Sequence, residues 1–210
     1  MHIPDGFLNL RTWVTMDVVA GLSVAYAIKK TKASLGERQI PLMGVMAAFI
    51  FAAQMLNFPI AGGTSGHLIG GVMAAVLLGP WAATLVMSTI FIVQCLLFQD
   101  GGLTALGANI FNMGIIGTVF GYYIYRGIGI SISSKKGLFW GVGIASWLAV
   151  VLAATFCSIE LAVSGTVPLR IALPAMAGVH AMIGIGEAVI TVGVISLILK
   201  ARPDLLQRQV

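Results

Sequence analysis

Apolar runs near the length of a membrane-crossing helix recur along the whole chain, with only short polar stretches between them. They cover roughly Thr12–Ile28, Ile40–Asn57, His67–Leu78, Trp81–Phe98, Leu103–Tyr125, Gly137–Val163 and Ile171–Leu199. Gly79-Pro80 separates the third from the fourth, because proline cannot continue a helix and glycine ends one readily. The third run is short and glycine-rich, with Gly62, Gly63, Gly66, Gly70 and Gly71 about its start. It is expected as a steep helix entered from a loop that dips into the bilayer, where protein must shield the backbone. Small residues at four-residue spacing mark close helix contacts, Gly44, Ala48 and Ala52 on the second run and Gly117 and Gly121 on the fifth. Such stripes serve packing within one bundle or face a membrane partner. The pattern predicts an all-α integral membrane protein of about seven transmembrane helices, with residues 1–210 forming one domain.

Composition agrees: 59% of residues are hydrophobic and 9% charged, against roughly 25% charged in a soluble domain. The net charge of +5 therefore sets topology and gives no reason to expect nucleic acid. With the N-terminus outside, the inner side collects Lys29, Lys30, Lys32, Arg38, Arg126, Lys135, Lys136, Lys200, Arg202 and Arg208, while the outer side keeps Arg11 and Arg170. That is the positive-inside bias, and it places the C-terminus in the cytoplasm and all three histidines, His2, His67 and His180, in the outer half. Cys95 and Cys157 fall inside apolar runs and read as small buried hydrophobes, not as a disulfide or a metal knuckle. Ala25-Tyr26-Ala27 resembles a signal-peptide cleavage end, but residues 1–10 lack a positive charge and Asp17 interrupts the apolar region. The opening residues are expected to remain.

Ionisable groups inside a membrane are costly and usually paired or functional, which singles out Asp17, Glu160 and Glu187. Glu187 is the deepest; Asp17 and Glu160 lie near outer ends, where water is expected to reach them. His2 offers a different chemistry. A free Met1 amine, the amide nitrogen of His2 and its Nδ1 close fused five- and six-membered chelate rings around one ion and leave one in-plane position vacant. One further imidazole completes a four-nitrogen square, a set that suits Ni(II) or Cu(II). His67, at the end of the glycine loop, is the first choice for that corner; His180 is the other, as ligand or as hydrogen-bond partner. A bulky second residue protects the initiator methionine, and Pro4-Asp5-Gly6 is a turn signature able to fold the first residues back.

The opening MHIPDGFL, the loop GGTSGHLIGG, the segment FQDGGLTALGANIFNMG and the late stretch AGVHAMIGIGEAVIT together resemble the nickel/cobalt-specific S components of energy-coupling-factor (ECF) transporters, the NikM/CbiM type. The resemblance spans nearly the whole chain and shows no departure in these segments. It implies a six-helix S-component core with one added N-terminal helix. It also implies capture of Ni(II), or alternatively Co(II), outside the cell membrane. The partners it implies are a membrane coupling (T) subunit and two cytoplasmic ABC ATPases, with a small accessory membrane subunit as a further candidate. Family ligation carries over to Met1, His2 and His67. The chain has neither a Gly-x-x-x-x-Gly-Lys-Ser/Thr loop nor His-Glu-x-x-His, so a substrate-binding subunit without resident cofactor is expected, not an enzyme. A metalloenzyme built on His180 and Glu187 is the competing reading from another class.

Overall fold

The computed structural model describes residues 1–36, 39–56, 58–60, 64–132 and 135–207. Asn57, Gly62, Gly63, Arg38 and Arg208, used above for the glycine loop and the charge bias, lie outside the described residues. Every predicted apolar run contains helix: α1 (Leu10–Ser34), α2 (Gln39–Gln54), α3 (Gly71–Leu78), α4 (Pro80–Phe98), α5 (Leu106–Asn109), α6 (Gly121–Ser131), α7 (Lys135–Val163), α8 (Leu169–Ala201) and a short α9 (Asp204–Gln207). Between α5 and α6 the chain continues without a break as a π-helical stretch, Ile110–Phe120. Asn9 caps α1 by accepting from the Thr12 amide at 2.9 Å. Pro80 opens α4 directly after Gly79, whose φ of 81° stops α3.

Two details depart from the sequence reading. The helix of the third run begins at Gly71, not His67, so His67 sits in an extended segment ahead of it. Before that segment stands an antiparallel hairpin of β1 (Phe58–Ile60) and β2 (Thr64–Gly66), in register Phe58 to Gly66. The fold is thus nearly, not wholly, helical.

The eight residues of α3 are all buried, packed between α4, the π-helical stretch, α6 and α7. A helix enclosed on every side needs no polar face, which is why its sequence is apolar throughout. At eight residues it rises about 12 Å, less than half of a bilayer core of about 30 Å. The extended segment before it therefore starts deep inside the bundle. Close packing is literal here: a Cβ on Gly71 would stand 2.8 Å from the Gly117 carbonyl carbon, and one on Gly121 2.6 Å from Val72. The Gly117–Gly121 stripe is accordingly internal. Gly44, Ala48 and Ala52 instead stand exposed on α2.

Leu22, Val45, Leu97, Met182, Val189 and Leu197 are largely exposed on the helix surfaces, as bilayer-facing residues must be. Among the described residues α4, α7 and α8 are long and apolar enough to cross a membrane by themselves, and α2 is a shorter apolar helix. One end of the bundle gathers residues 1–9, the 99–105 turn and the α7–α8 connection: Asp5 meets Leu103 and Thr104, Asn9 Nδ2 donates to the Val163 carbonyl, and the Thr166 hydroxyl to that of Phe7. The other end joins the second half of α1 to the start of α4 through the Tyr26–Trp81 ring contact.

Candidate metal site

The first six residues form a strap that enters the bundle. Pro4 fixes one dihedral, and Gly6, at φ 82°, takes the left-handed turn that brings the chain back toward α1. Asp5 accepts from the Leu103 amide (3.0 Å), the Thr104 amide (2.8 Å) and the Thr104 hydroxyl (2.5 Å), and these bonds, the hydroxyl's first, lower its pKa. Asn109 clasps Ile3 both ways: the Ile3 amide donates to Oδ1 at 2.8 Å, and Nδ2 donates to the Ile3 carbonyl at 3.1 Å. The Gly102 amide adds a second bond to that carbonyl at 2.8 Å. Room for the strap comes from the paired glycines of the FQDGG segment. A Cβ on Gly102 would land on the backbone of Asp5 and Pro4. As a result Met1 and Ile3 are each 1% exposed and His2 6%.

His67, wholly buried, meets His2 from the extended segment before α3. That segment is held by Glu187 of α8, whose carboxylate accepts from the Ile69 amide at 2.8 Å and the Gly70 amide at 2.6 Å. Gly70 supplies the positive φ of 77° that lets consecutive amides face one carboxylate. The two imidazoles stack with centroids 4.8 Å apart and planes 21° off parallel. His67 Nε2 lies 3.2 Å from His2 Nδ1, and Asp100 Oδ1 stands 3.2 Å from the same nitrogen. Phe91 closes the His2 ring edge-on at 5.7 Å. On its far side His2 Nε2 is 3.0 Å from Gln94 Oε1, and Gln94 continues to Gln54.

Burial makes every nitrogen here a poor base for protons. Desolvation lowers the Met1 amine to about 5, against smaller raising effects of Cys157 and Asp100. It lowers His2 to about 4, helped by the neighbouring amine and opposed by Asp100 and Gln94. Burial favours the uncharged form of the Met1 amine and of His2, the form in which nitrogen ligates a metal. Imidazole nitrogens sit about 2.0–2.1 Å from zinc, so two donors at right angles on one ion lie about 3 Å apart. The 3.2 Å between His2 Nδ1 and His67 Nε2 is short enough for both nitrogens to meet one ion. Among the described residues no group of three or more His, Cys, Asp or Glu side chains is arranged to hold an ion.

The structure brings Met1, His2 and His67 together and leaves His180 out of the hydrogen-bonded set. His180 Nδ1 donates to the Met176 carbonyl at 2.7 Å, while Nε2, buried, has no partner among the described residues. Asp17 does not simply reach water: Oδ1 accepts from the Gly107 amide at 2.8 Å and ties α1 to α5. Asp17 is half-buried, whereas Glu160 is buried, 6% exposed, and accepts from Asn112 Nδ2 at 2.6 Å. For Glu160 the expectation of solvent contact fails. Gln54 and Asp100 escaped the sequence reading; an amide inside an apolar run was the available signal for Gln54.

Relatives point the same way. A fused nickel transport protein (NikMN) of Rhodobacter capsulatus is 35% identical over 225 residues, covering 98% of this chain and 64% of that one. A protein of Archaeoglobus fulgidus with the provisional name fused nickel transport protein NikMN is 43% identical, covering 100% of this chain and 69% of its own. The chain thus spans about two thirds of the length of these fused relatives. A crystal structure described as a truncated transition metal transporter superposes with a TM-score of 0.88 at 36% identity, covering 95% of this chain and 99% of that one. The family model for the cobalt uptake substrate-specific transmembrane region, CbiM, matches residues 2–205. The chain therefore belongs to the CbiM family and is a substrate-specific transmembrane component of metal transport.

Proposed function

We propose that this chain is the ion-capturing membrane subunit of an ECF-type nickel importer. Ni(II) is bound by the Met1 amine, the deprotonated amide nitrogen and Nδ1 of His2, and His67 Nε2, with Asp100 offsetting charge beside them. The observation that carries this reading is the burial of the first residue against the His2–His67 pair, with the two ring nitrogens 3.2 Å apart. A planar nitrogen set favours nickel, since d⁸ Ni(II) suits tetragonal nitrogen geometry. Cobalt(II) is the alternative cargo, supported by the description of the family model. The fused relatives named for nickel support nickel.

In this reading the strap end faces outside and the chain crosses the membrane about seven times, leaving its C-terminus in the cytoplasm. The described basic residues Lys29, Lys30, Lys32, Arg126, Lys136, Lys200 and Arg202 then lie on the inner side. Energy comes from a coupling subunit and two ABC ATPases. A small accessory membrane subunit is a further partner in this reading. Transport requires that the partner's motion change the affinity of the site, since only differential binding shifts a conformational equilibrium. Extending the chain by one residue ahead of Met1, read by nickel titration calorimetry in nanodiscs, tests the amine. Loss of tight binding supports the reading; unchanged affinity sinks it.

A further inference from the structure

The hydrogen-bond chain behind His2 decides which of its nitrogens carries a proton. The Ile69 carbonyl can only accept, so the Gln54 atom 2.7 Å from it is the amide Nε2. Gln54 Oε1 is then left to accept from Gln94 Nε2 at 2.8 Å. Gln94 in turn must present Oε1 to His2 Nε2, at 3.0 Å. An oxygen acceptor there calls for a proton on Nε2, and a neutral imidazole protonated at Nε2 is bare at Nδ1. His67 is set independently, since its Nδ1 donates to the Leu68 carbonyl at 2.7 Å and leaves Nε2 bare.

We propose that Gln94, oriented through Gln54 by the Ile69 carbonyl, is a positioning residue that holds His2 as the Nε2–H tautomer and presents an unprotonated Nδ1 to the ion. The inference rests on the chelate reading above, because only Nδ1 closes a six-membered ring with the amide nitrogen of the same residue. The contest is real: His67 Nε2 and Asp100 Oδ1 both lie 3.2 Å from Nδ1 and would draw the proton there. Gln94 opposes them from the other side of the ring. With the proton on Nε2, His2 Nδ1 faces His67 Nε2 and Asp100 Oδ1 bare. The relay is anchored at its far end by Glu187, which takes the Ile69 and Gly70 amides and so fixes the peptide whose carbonyl orients Gln54. Both of its amide side chains are buried at 0% exposure, where an unpaired polar group is costly.

Ring-¹⁵N histidine labelling of the metal-free full chain in nanodiscs tests this, with only three histidines to resolve. The expected wild-type result is a protonated Nε2 and a bare Nδ1 for His2. Gln94→Met should shift the proton toward Nδ1 and raise the nickel dissociation constant about 10–100-fold, as loss of an outer hydrogen bond to a ligating histidine does. Gln54→Met, which touches no imidazole, should give a mixture of both tautomers by freeing Gln94 to turn. A wild-type His2 protonated at Nδ1 overturns the proposal, as does an unchanged tautomer in folded Gln94→Met. The readout needs no metal, so it separates from the amine test. A correct tautomer with no effect of N-terminal extension removes the chelate alone; the opposite pair of results removes the relay alone.

Discussion

Gly102→Ala probes the strap without altering any proposed ligand. The added Cβ would lie 2.6 Å from Asp5 Oδ1 and 2.7 Å from the Pro4 carbonyl carbon, and closer still to the Asp5 amide nitrogen. Comfortable carbon contacts begin near 3.5 Å, so the strap must retreat by about 1 Å, and two of the three close atoms are backbone that cannot swing aside. Overpacking of this kind costs about 1–3 kcal/mol. Retreat also strains the Gly102 amide bond to the Ile3 carbonyl and the Asp5 bonds to residues 103 and 104, at about 1 kcal/mol each. A ligand constellation works only when held within about 0.5 Å, so most of the penalty is expected in metal affinity. The expected loss is about 5–150-fold for about 1–3 kcal/mol, read by competition against a nickel-chelating dye. Gly44→Ala is the control, since nothing stands within 4 Å of its added Cβ. If Gly102→Ala binds nickel within about twofold of wild type, at a precision set by about 0.4 kcal/mol, the docked strap is not part of the site.

Other outcomes follow from the same geometry. His67→Ala should weaken nickel binding far more than His180→Ala, since only His67 faces His2 Nδ1; equal losses or the reverse order in titration calorimetry would move the fourth ligand. Asn109→Leu orphans the buried Ile3 amide, a cost of about 1–3 kcal/mol, and should raise hydrogen exchange across residues 1–6 before the helices respond. The strap should also loosen in acid. The Met1 amine falls from 8.0 to about 5 on docking, so the undocked chain binds the extra proton between those values and docking weakens as pH drops through that window. The slope is at most about 1.4 kcal/mol per pH unit from this group. His2, lowered from 6.5 to about 4, adds the same sign between those values, and protection of residues 1–6 that stays constant with pH, after correction for the intrinsic exchange rate, would contradict both.

What could be read from the chain beforehand depended on whether local pattern or distant geometry decided it. The apolar runs announce their helices because a bilayer imposes length and hydrophobicity on each one. Chelate chemistry in residues 1 and 2 and the resemblance made the N-terminal candidate legible. The start of α3 at Gly71 was not legible, since Leu68 and Ile69 are as apolar as the helix they precede. Their backbone is drawn away from helix by Glu187, more than a hundred residues later. The partnership of Gln54 with Gln94 joins α2 to α4, and no periodicity reports which faces of two apolar helices meet. Glu160 was misjudged for a related reason: closeness to a helix end implies water only when no other element packs against that side, and here Asn112 does.

The central claim is a flat nitrogen set that includes the first amine of the chain. Nickel-edge X-ray absorption on the nickel-loaded protein, paired with an anomalous-difference map, reads it most directly. The account predicts a square-planar ion contacted by the Met1 amine, the His2 amide nitrogen and Nδ1, and His67 Nε2. A tetrahedral ion, or one held by His180 or carboxylates with the Met1 amine out of reach, would contradict it.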